Sequence, residues 1–233
     1  MPARRALQVL CAVAFVLHPP GVARSAGDDL AAALARMDDA GASFKGLSAN
    51  IRKVSHTAVI NEDTVDTGTI YVKRPKPHDL RMRIDIQPPN PKQAEFSGHL
   101  VSIYYPKSNT VEEYDLGKER GMVDQFLLLG FGSSSKELQN AYSIRLGGPE
   151  TVAGEKATRI ELTPKSADVL AHLKKVDLWI SDATGVAVQQ KFYEPGGDYS
   201  MATYTNIKTD ANIPDSALRL NLPRDVRRQR PQK

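Results

Sequence analysis

Cysteine is nearly absent from this chain of 233 residues: Cys11 is the only one. A single thiol excludes both a disulfide framework and a cysteine-ligated zinc site. Histidine is also sparse. Beyond the first 25 residues there are His56, His78, His99 and His172, and no two stand four apart as helical metal ligands do. There is no GxSxG nucleophile elbow and no phosphate-cradling glycine loop. Gly147-Gly148 and Gly196-Gly197 read as turns, and Gly132-Ser133-Ser134-Ser135 as a helix start. Glu112 and Glu113 point to opposite faces of a strand, which is wrong for two carboxylates sharing one reaction. No catalytic constellation is legible. An excess of one charge sign is missing as well. The formal net charge is +4, from 31 Lys+Arg against 27 Asp+Glu. Arg4, Arg5 and Arg24 lie in the amino-terminal segment, and five basic groups against Asp225 lie in residues 224–233. The body between them holds 23 basic and 26 acidic groups. A slightly acidic body excludes a basic nucleic-acid-binding surface.

Long apolar runs are scarce too. The longest, Ala6–Leu17, has 12 residues and falls short of the about 20 that span a bilayer. Arg4 and Arg5 precede it, Pro19-Pro20-Gly21 break it, and small residues follow at Gly21, Ala23 and Ser25. This is the pattern of a cleaved export signal over residues 1–25. Cys11 sits inside the apolar run after Leu10, which does not suit a lipid anchor. The expectation is an exported protein with one domain over residues 26–223 and a basic, solvated tail over 224–233.

What the body does have is period-two alternation. After a helix starting at Asp28-Asp29, with Leu30, Leu34 and Met37 on one face and Gly41 as its stop, the period changes from 3.6 to 2. Leu47, Ala49 and Ile51 alternate with polar residues, and so do Ile70 and Val72. Leu80, Met82, Ile84 and Ile86 face one way, while Arg81, Arg83 and Asp85 face the other. Ile160 and Leu162, then Leu178 and Ile180, continue the pattern, and Leu218–Leu222 reads as a last strand. About eleven strands with turns every 8 to 15 residues predict a mainly β (α+β) domain built on one strongly curved antiparallel sheet. Short helices are expected at Lys118–Gly130, Ser134–Tyr142 and Ser166–Lys175.

Such a sheet has one concave face. Ile51, Ile70, Val72, Leu80, Met82 and Ile84 are expected to line it from the first half of the chain, with Ile160, Leu162, Leu178 and Ile180 from the second. An apolar concavity needs a cover. The run Phe126, Leu127, Leu128, Leu129, Gly130 and Phe131 is the candidate, and the pattern fits a fixed plug as well as it fits a movable lid. Arg74 falls in register with Ile70 and Val72, at the rim of that face. It either reaches water or finds buried acceptors, which its planar fork of donors suits. The aromatics, only 6% of the chain, lie mostly on strands, where they either line a cavity or pack the sheet.

Several segments together resemble the LolA-type periplasmic carriers of outer-membrane lipoproteins. They are the export signal and first helix, Leu47–Ile51, and Gly68-Thr-Ile-Tyr-Val-Lys-Arg-Pro75. Ser97-Gly98 before Ile103–Pro106, Leu162-Thr-Pro-Lys165, and Leu222-Pro-Arg-Asp-Val226 follow in order. The resemblance implies an incomplete antiparallel β-barrel whose mouth is covered by helices. It implies no cofactor and no catalysis. The cargo would be the acyl chains of lipoproteins or related lipids, taken from an inner-membrane ABC-type release complex and handed to an outer-membrane acceptor by a monomer. It also implies that Arg74, in the Lys73-Arg74-Pro75 segment, hydrogen-bonds to the lid and latches it. The same fold serves lipid-sensing regulatory modules that bind a periplasmic partner protein, which is the alternative function.

Overall fold

The computed structural model describes residues 26–76, 79–117, 129–209 and 212–231. A first helix, α1 (Ala26–Ser43), leads into a long hairpin of β1 (Gly46–Thr57) and β2 (Glu62–Lys73). A meander follows: β3 (Arg81–Ile86), β4 (Lys92–Ser97), β5 (Leu100–Tyr105) and β6 (Thr110–Asp115). Helix α2 (Ser135–Ala141) opens the second half. After it come β7 (Tyr142–Val152), β8 (Glu155–Pro164), the short α3 (Ala167–Leu170), β9 (Lys175–Ser181), β10 (Ala187–Tyr193) and β11 (Tyr199–Lys208). A short strand, β12 (Arg227–Gln229), ends the described chain.

All twelve strands of the described residues belong to one sheet, in the order β12-β6-β5-β4-β3-β2-β1-β11-β10-β9-β8-β7. The two meanders join where β1 pairs with β11. Every pairing is antiparallel except β12 with β6. β7 and β12 are left as edges, so the barrel stays open. Three register shifts bend it: opposite Ser48–Asn50 in β11, between Leu146 and Gly148, and between Ala187 and Gln189. Extra residues of this kind increase local twist and curvature. Gly68 meets a different demand. A Cβ there would lie 1.9 Å from the Asp85 carbonyl oxygen, so β2 and β3 approach this closely only because the side chain is missing.

The alternation of sequence becomes a division between two faces. On the concave face one apolar cluster gathers α1 (Ala33, Leu34, Met37), β1 (Leu47, Ala49, Ile51) and residues of β2, β3 and β8–β11. α1 is pinned over the second half of the sheet by polar contacts. The Arg36 guanidinium donates to Asp182 at 2.9 Å and to Thr158 at 3.1 Å. Asp38 accepts from the Ser135 amide at 2.6 Å and its hydroxyl at 2.5 Å. The serine run at 133–135 thus has structural work: Ser134 is the N-cap of α2 in a reciprocal capping box with Glu137.

The structure differs from expectation in four places. Leu218–Leu222 is not a strand; a 3-10 turn at Asp215–Leu218 is followed by extended chain. The basic tail is exposed, as expected of a solvated segment, but it carries a strand: β12 pairs with β6, and Arg228 and Arg230 both bind Glu113, which is 8% exposed. An unsatisfied sheet edge attracts any extended segment nearby, and two cations beside a buried carboxylate add to that pull. α1 runs through Gly41 to Ser43. α3 covers only Ala167–Leu170 of the expected helix.

Candidate lid and apolar face

The ten residues expected to line the concavity lie together. Ile51, Ile70, Val72, Leu80, Met82, Ile160, Leu162, Leu178 and Ile180 are buried members of one cluster, and Ile84 packs against it partly buried. Of the expected lid, Phe126, Leu127 and Leu128 lie outside the described residues. Leu129 and Phe131 are 1% and 2% exposed and belong to the same cluster. The segment 129–132 therefore rests on the apolar face.

A few polar contacts hold it there. The Ala187 amide donates to the Gly130 carbonyl at 2.8 Å. The Gln190 side-chain amide donates to the Leu129 carbonyl and accepts from the Tyr204 hydroxyl at 3.0 Å. Burial pushes the Tyr204 phenol well above its ordinary value, so it stays protonated and remains a donor. Phe131 meets the Tyr204 ring edge-on at 4.9 Å. Gly130 has a φ of +78°, and a Cβ there would lie 2.4 Å from the Ala187 Cβ. Any other residue would lift the segment off β10.

Arg74 lies just past the end of β2. Its Nη1 donates to the Gly132 carbonyl at 2.8 Å. Its Nη2 donates to the Gly41 carbonyl at 2.7 Å and the Phe44 carbonyl at 3.3 Å. The guanidinium also stands 5.4 Å from the centroid of the Phe44 ring. One cation thus ties three chain segments: the end of β2, the carboxy-terminal turn of α1 and the 129–132 segment. Carbonyls at a helix carboxy terminus have no intrahelical partner and carry partial negative charge, so a fixed cation suits them. The seam between α1 and this segment, around Met37, Gly41, Phe44, Phe131 and Val186, leaves no room for a water molecule. Beside it an open cleft of about 310 Å³ runs between Ala40, Ser43, Phe44, Thr184 and Val186.

The convex face has different chemistry. Asp177 is 1% exposed and accepts from the Tyr193 hydroxyl at 2.9 Å, with Lys175 at 3.3 Å and Arg159 at 3.5 Å. Arg159 also pairs with Glu150 at 2.8 Å and Glu161 at 3.2 Å. Glu150 accepts from the Trp179 indole at 2.6 Å, and Trp179 packs with Val152, Ala157 and Val188. Of the strand aromatics, Trp179, Tyr193 and Tyr199 sit on the convex side, whereas Phe192 packs against the concave cluster and Tyr204 lies beneath the 129–132 segment. His56 pairs with Asp63 at 2.7 Å and stacks on Tyr199. Among the described residues no group of three or more His, Cys, Asp or Glu is placed to hold a metal ion.

Gln190 was missed in the sequence, whereas Tyr204 stood among the strand aromatics that either line a cavity or pack the sheet. The signal was a lone amide in step with Leu178 across the ladder, but the extra residue at Val188 breaks the alternation that would reveal it.

No protein-family model matches the chain, and no curated protein matches it in sequence. Solved structures do. MucB matches with a TM-score of 0.53 and 16% identity, over 83% of this chain and 63% of MucB. The chain therefore spans less than two thirds of that protein. An uncharacterised conserved protein from Thermus thermophilus matches with a TM-score of 0.53 and 14% identity, over 87% of this chain and 99% of its own. A LolA superfamily protein from Nitrosomonas europaea matches at 0.39 and 13% identity, over 85% of this chain and 99% of its own. The open, curved antiparallel sheet is the fold shared with MucB and the Thermus thermophilus protein. At these identities the likeness is one of fold. MucB has also been solved in complex with MucA from Pseudomonas aeruginosa.

Proposed function

We propose that this chain is a carrier that binds the acyl chains of lipoproteins or related lipids against its concave face and gives them up again. The observation behind this reading is the cover of that face. An apolar surface built from nine buried residues on or beside the strands is covered by a segment whose described polar ties are few, and one of them comes from Arg74, which also binds two carbonyls at the end of α1. A chain of 14 to 16 carbons buries about 0.8 kcal/mol per CH2, or on the order of 10 kcal/mol. Displacing Leu129 and Phe131 subtracts from that. A modest net affinity is what a protein that must release cargo requires. Arg74 is the latch in this reading, and residues 126–131 are the lid.

The same reading places the protein in the periplasm after export, as a monomer without cofactor or catalytic role. It receives cargo from an inner-membrane ABC-type release complex and delivers it to an outer-membrane acceptor. In the described residues no helix is long and apolar enough to cross a membrane. The test is binding of a fluorescent long-chain fatty acid by delipidated protein. Saturable uptake, competed by unlabelled lipid, is expected. Well-folded protein with no uptake and no lipid in its organic extract would sink the proposal. The likeness to MucB favours a second reading, a lipid-sensing module with a periplasmic protein partner. Its mark would be a stable complex with one membrane-anchored regulator in pull-down.

A further inference from the structure

The concave face changes chemistry row by row toward the tip of the β1–β2 hairpin. Ile51 stands between Tyr204 and Gly68 in the ladders, and this row is apolar apart from the Tyr204 hydroxyl. Two residues on, Lys53 stands between Ala202 and Asp66. The alternation that turns Leu47, Ala49 and Ile51 inward turns Lys53 inward as well. Asp66 is 8% exposed and is held by Lys92 at 3.1 Å, reaching from the first residue of β4. One row further, Ser55 stands between Ser200 and Thr64, so three hydroxyls rim the face. Apolar interior, charged row and hydroxyl rim follow within one hairpin.

The charges in that row are unevenly matched. Lys92 has its carboxylate. Among the described residues the Lys53 ammonium makes no hydrogen bond or ion pair. It is half-buried, and burial, with Lys92 nearby, pushes its pKa down, while Asp66 and Glu194 oppose that push. A half-buried cation without a partner is costly, and the cost is removed by an acceptor from outside. Asp66 is already engaged, and Glu194 is exposed beyond the end of β10.

We infer that Lys53, with Lys92 and the Ser55, Thr64 and Ser200 hydroxyls beside it, binds the anionic head of an amphiphile whose chain lies on the apolar face. This deepens the carrier reading and rests on it. The ligand class is a carboxylate or phosphate head with one or more acyl chains. An ammonium–oxyanion contact at a partly desolvated site is worth about tenfold in affinity.

The test compares a 16-carbon fatty acid with its methyl ester, at a pH where the acid is ionised, on wild type, Lys53→Met and Lys53→Arg. Wild type is expected to bind the acid about tenfold tighter than the ester. Lys53→Met is expected to erase that preference while leaving ester binding unchanged, and Lys53→Arg to restore most of it. Wild type binding both equally, or Lys53→Met keeping the preference, overturns the head-group site and leaves the carrier reading standing. Neither probe binding overturns both. Inorganic phosphate at matched ionic strength is the last arm. Displacement of the acid by phosphate alone assigns the pocket to free anions and also overturns the inference.

Discussion

The two faces of this sheet are held by opposite means. On the convex side, charged groups lock to one another around Asp177, and the carboxy-terminal strap crosses the first meander. Asp215 pairs with Lys73 at 2.6 Å, the Leu220 amide donates to Glu95 at 2.7 Å, and β12 closes on β6. On the concave side the burial is mostly apolar, and apart from the Lys92–Asp66 pair toward the hairpin tip the polar ties gather at the 129–132 segment: Arg74, Gln190 and the Ala187 amide. Apolar contacts are non-directional, so another apolar body can replace them at little cost. Buried ion pairs cannot be replaced this way, because each partner left alone is a desolvated charge. In the carrier reading the convex face stays as it is, and the concave face exchanges one cover for another.

This contrast is broken most severely at Asp177. Asp177→Ala leaves Arg159, Lys175 and the Tyr193 hydroxyl without their shared acceptor, and a loss of about 3 kcal/mol is expected in denaturant unfolding. Lipid affinity of the folded variant is expected to stay close to wild type. Gln190→Leu comes next. It strips the Leu129 carbonyl and the Tyr204 hydroxyl of their partner beneath the lid, at about 2 kcal/mol. It is also expected to raise the off-rate of a bound lipid probe or to change its on-rate. A variant that loses stability with unchanged probe kinetics would separate Gln190 from the lid.

Arg74→Leu is expected to cost less in stability, about 1 to 2 kcal/mol, because the guanidinium is only half-buried. Its larger effect should fall on exchange, several-fold in the release rate measured by probe transfer to vesicles. A lower melting temperature with unaltered transfer would leave Arg74 a helix cap and nothing more.

The smallest effect concerns the strap and pH. The Lys73 ammonium hydrogen-bonded to Asp215 holds that carboxyl below its ordinary value of 3.8. The pairing therefore contributes fully above 3.8 and is lost as pH falls through the lower folded value. Acidification below 3.8 is expected to increase pepsin cleavage within residues 212–222, and Asp215→Asn to show that cleavage rate already at the upper end of the range. Equal cleavage in both proteins at every pH would show that this pair does not hold the strap.

Much of this was legible in the sequence where one rule acted alone. Strict alternation placed Ile70, Val72 and Arg74 on one side, and Leu178 and Ile180 with them. The helix start at the serine run was readable from spacing, and the structure makes Ser134 its cap. The same rule failed where a second effect entered. The bulge at Val188 hid the inward turn of Gln190. Asp177 alternates outward and so reads as solvated; only the side chains of Arg159, Lys175 and Tyr193, brought over it by the ladder, bury it. Leu218 and Leu222 look like strand residues, but Pro214 and Pro223 bracket them, and Leu218 seats on the convex side as part of the strap. Lys53 was in plain register with Leu47, Ala49 and Ile51. Its position gained meaning only when Asp66 proved to be engaged by Lys92.

The exchange of covers proposed for the concave face can be read directly at one amide. The Ala187 N–H donates to Gly130 in the lid segment, whereas the β8–β9 amides around Asp177 lie under the convex network. Hydrogen exchange of these amides, with and without a saturating long-chain fatty acid, separates the two faces. The account predicts that lipid lowers protection at Ala187 and leaves the β8–β9 amides unchanged. Bound lipid with undiminished protection at Ala187 would contradict it.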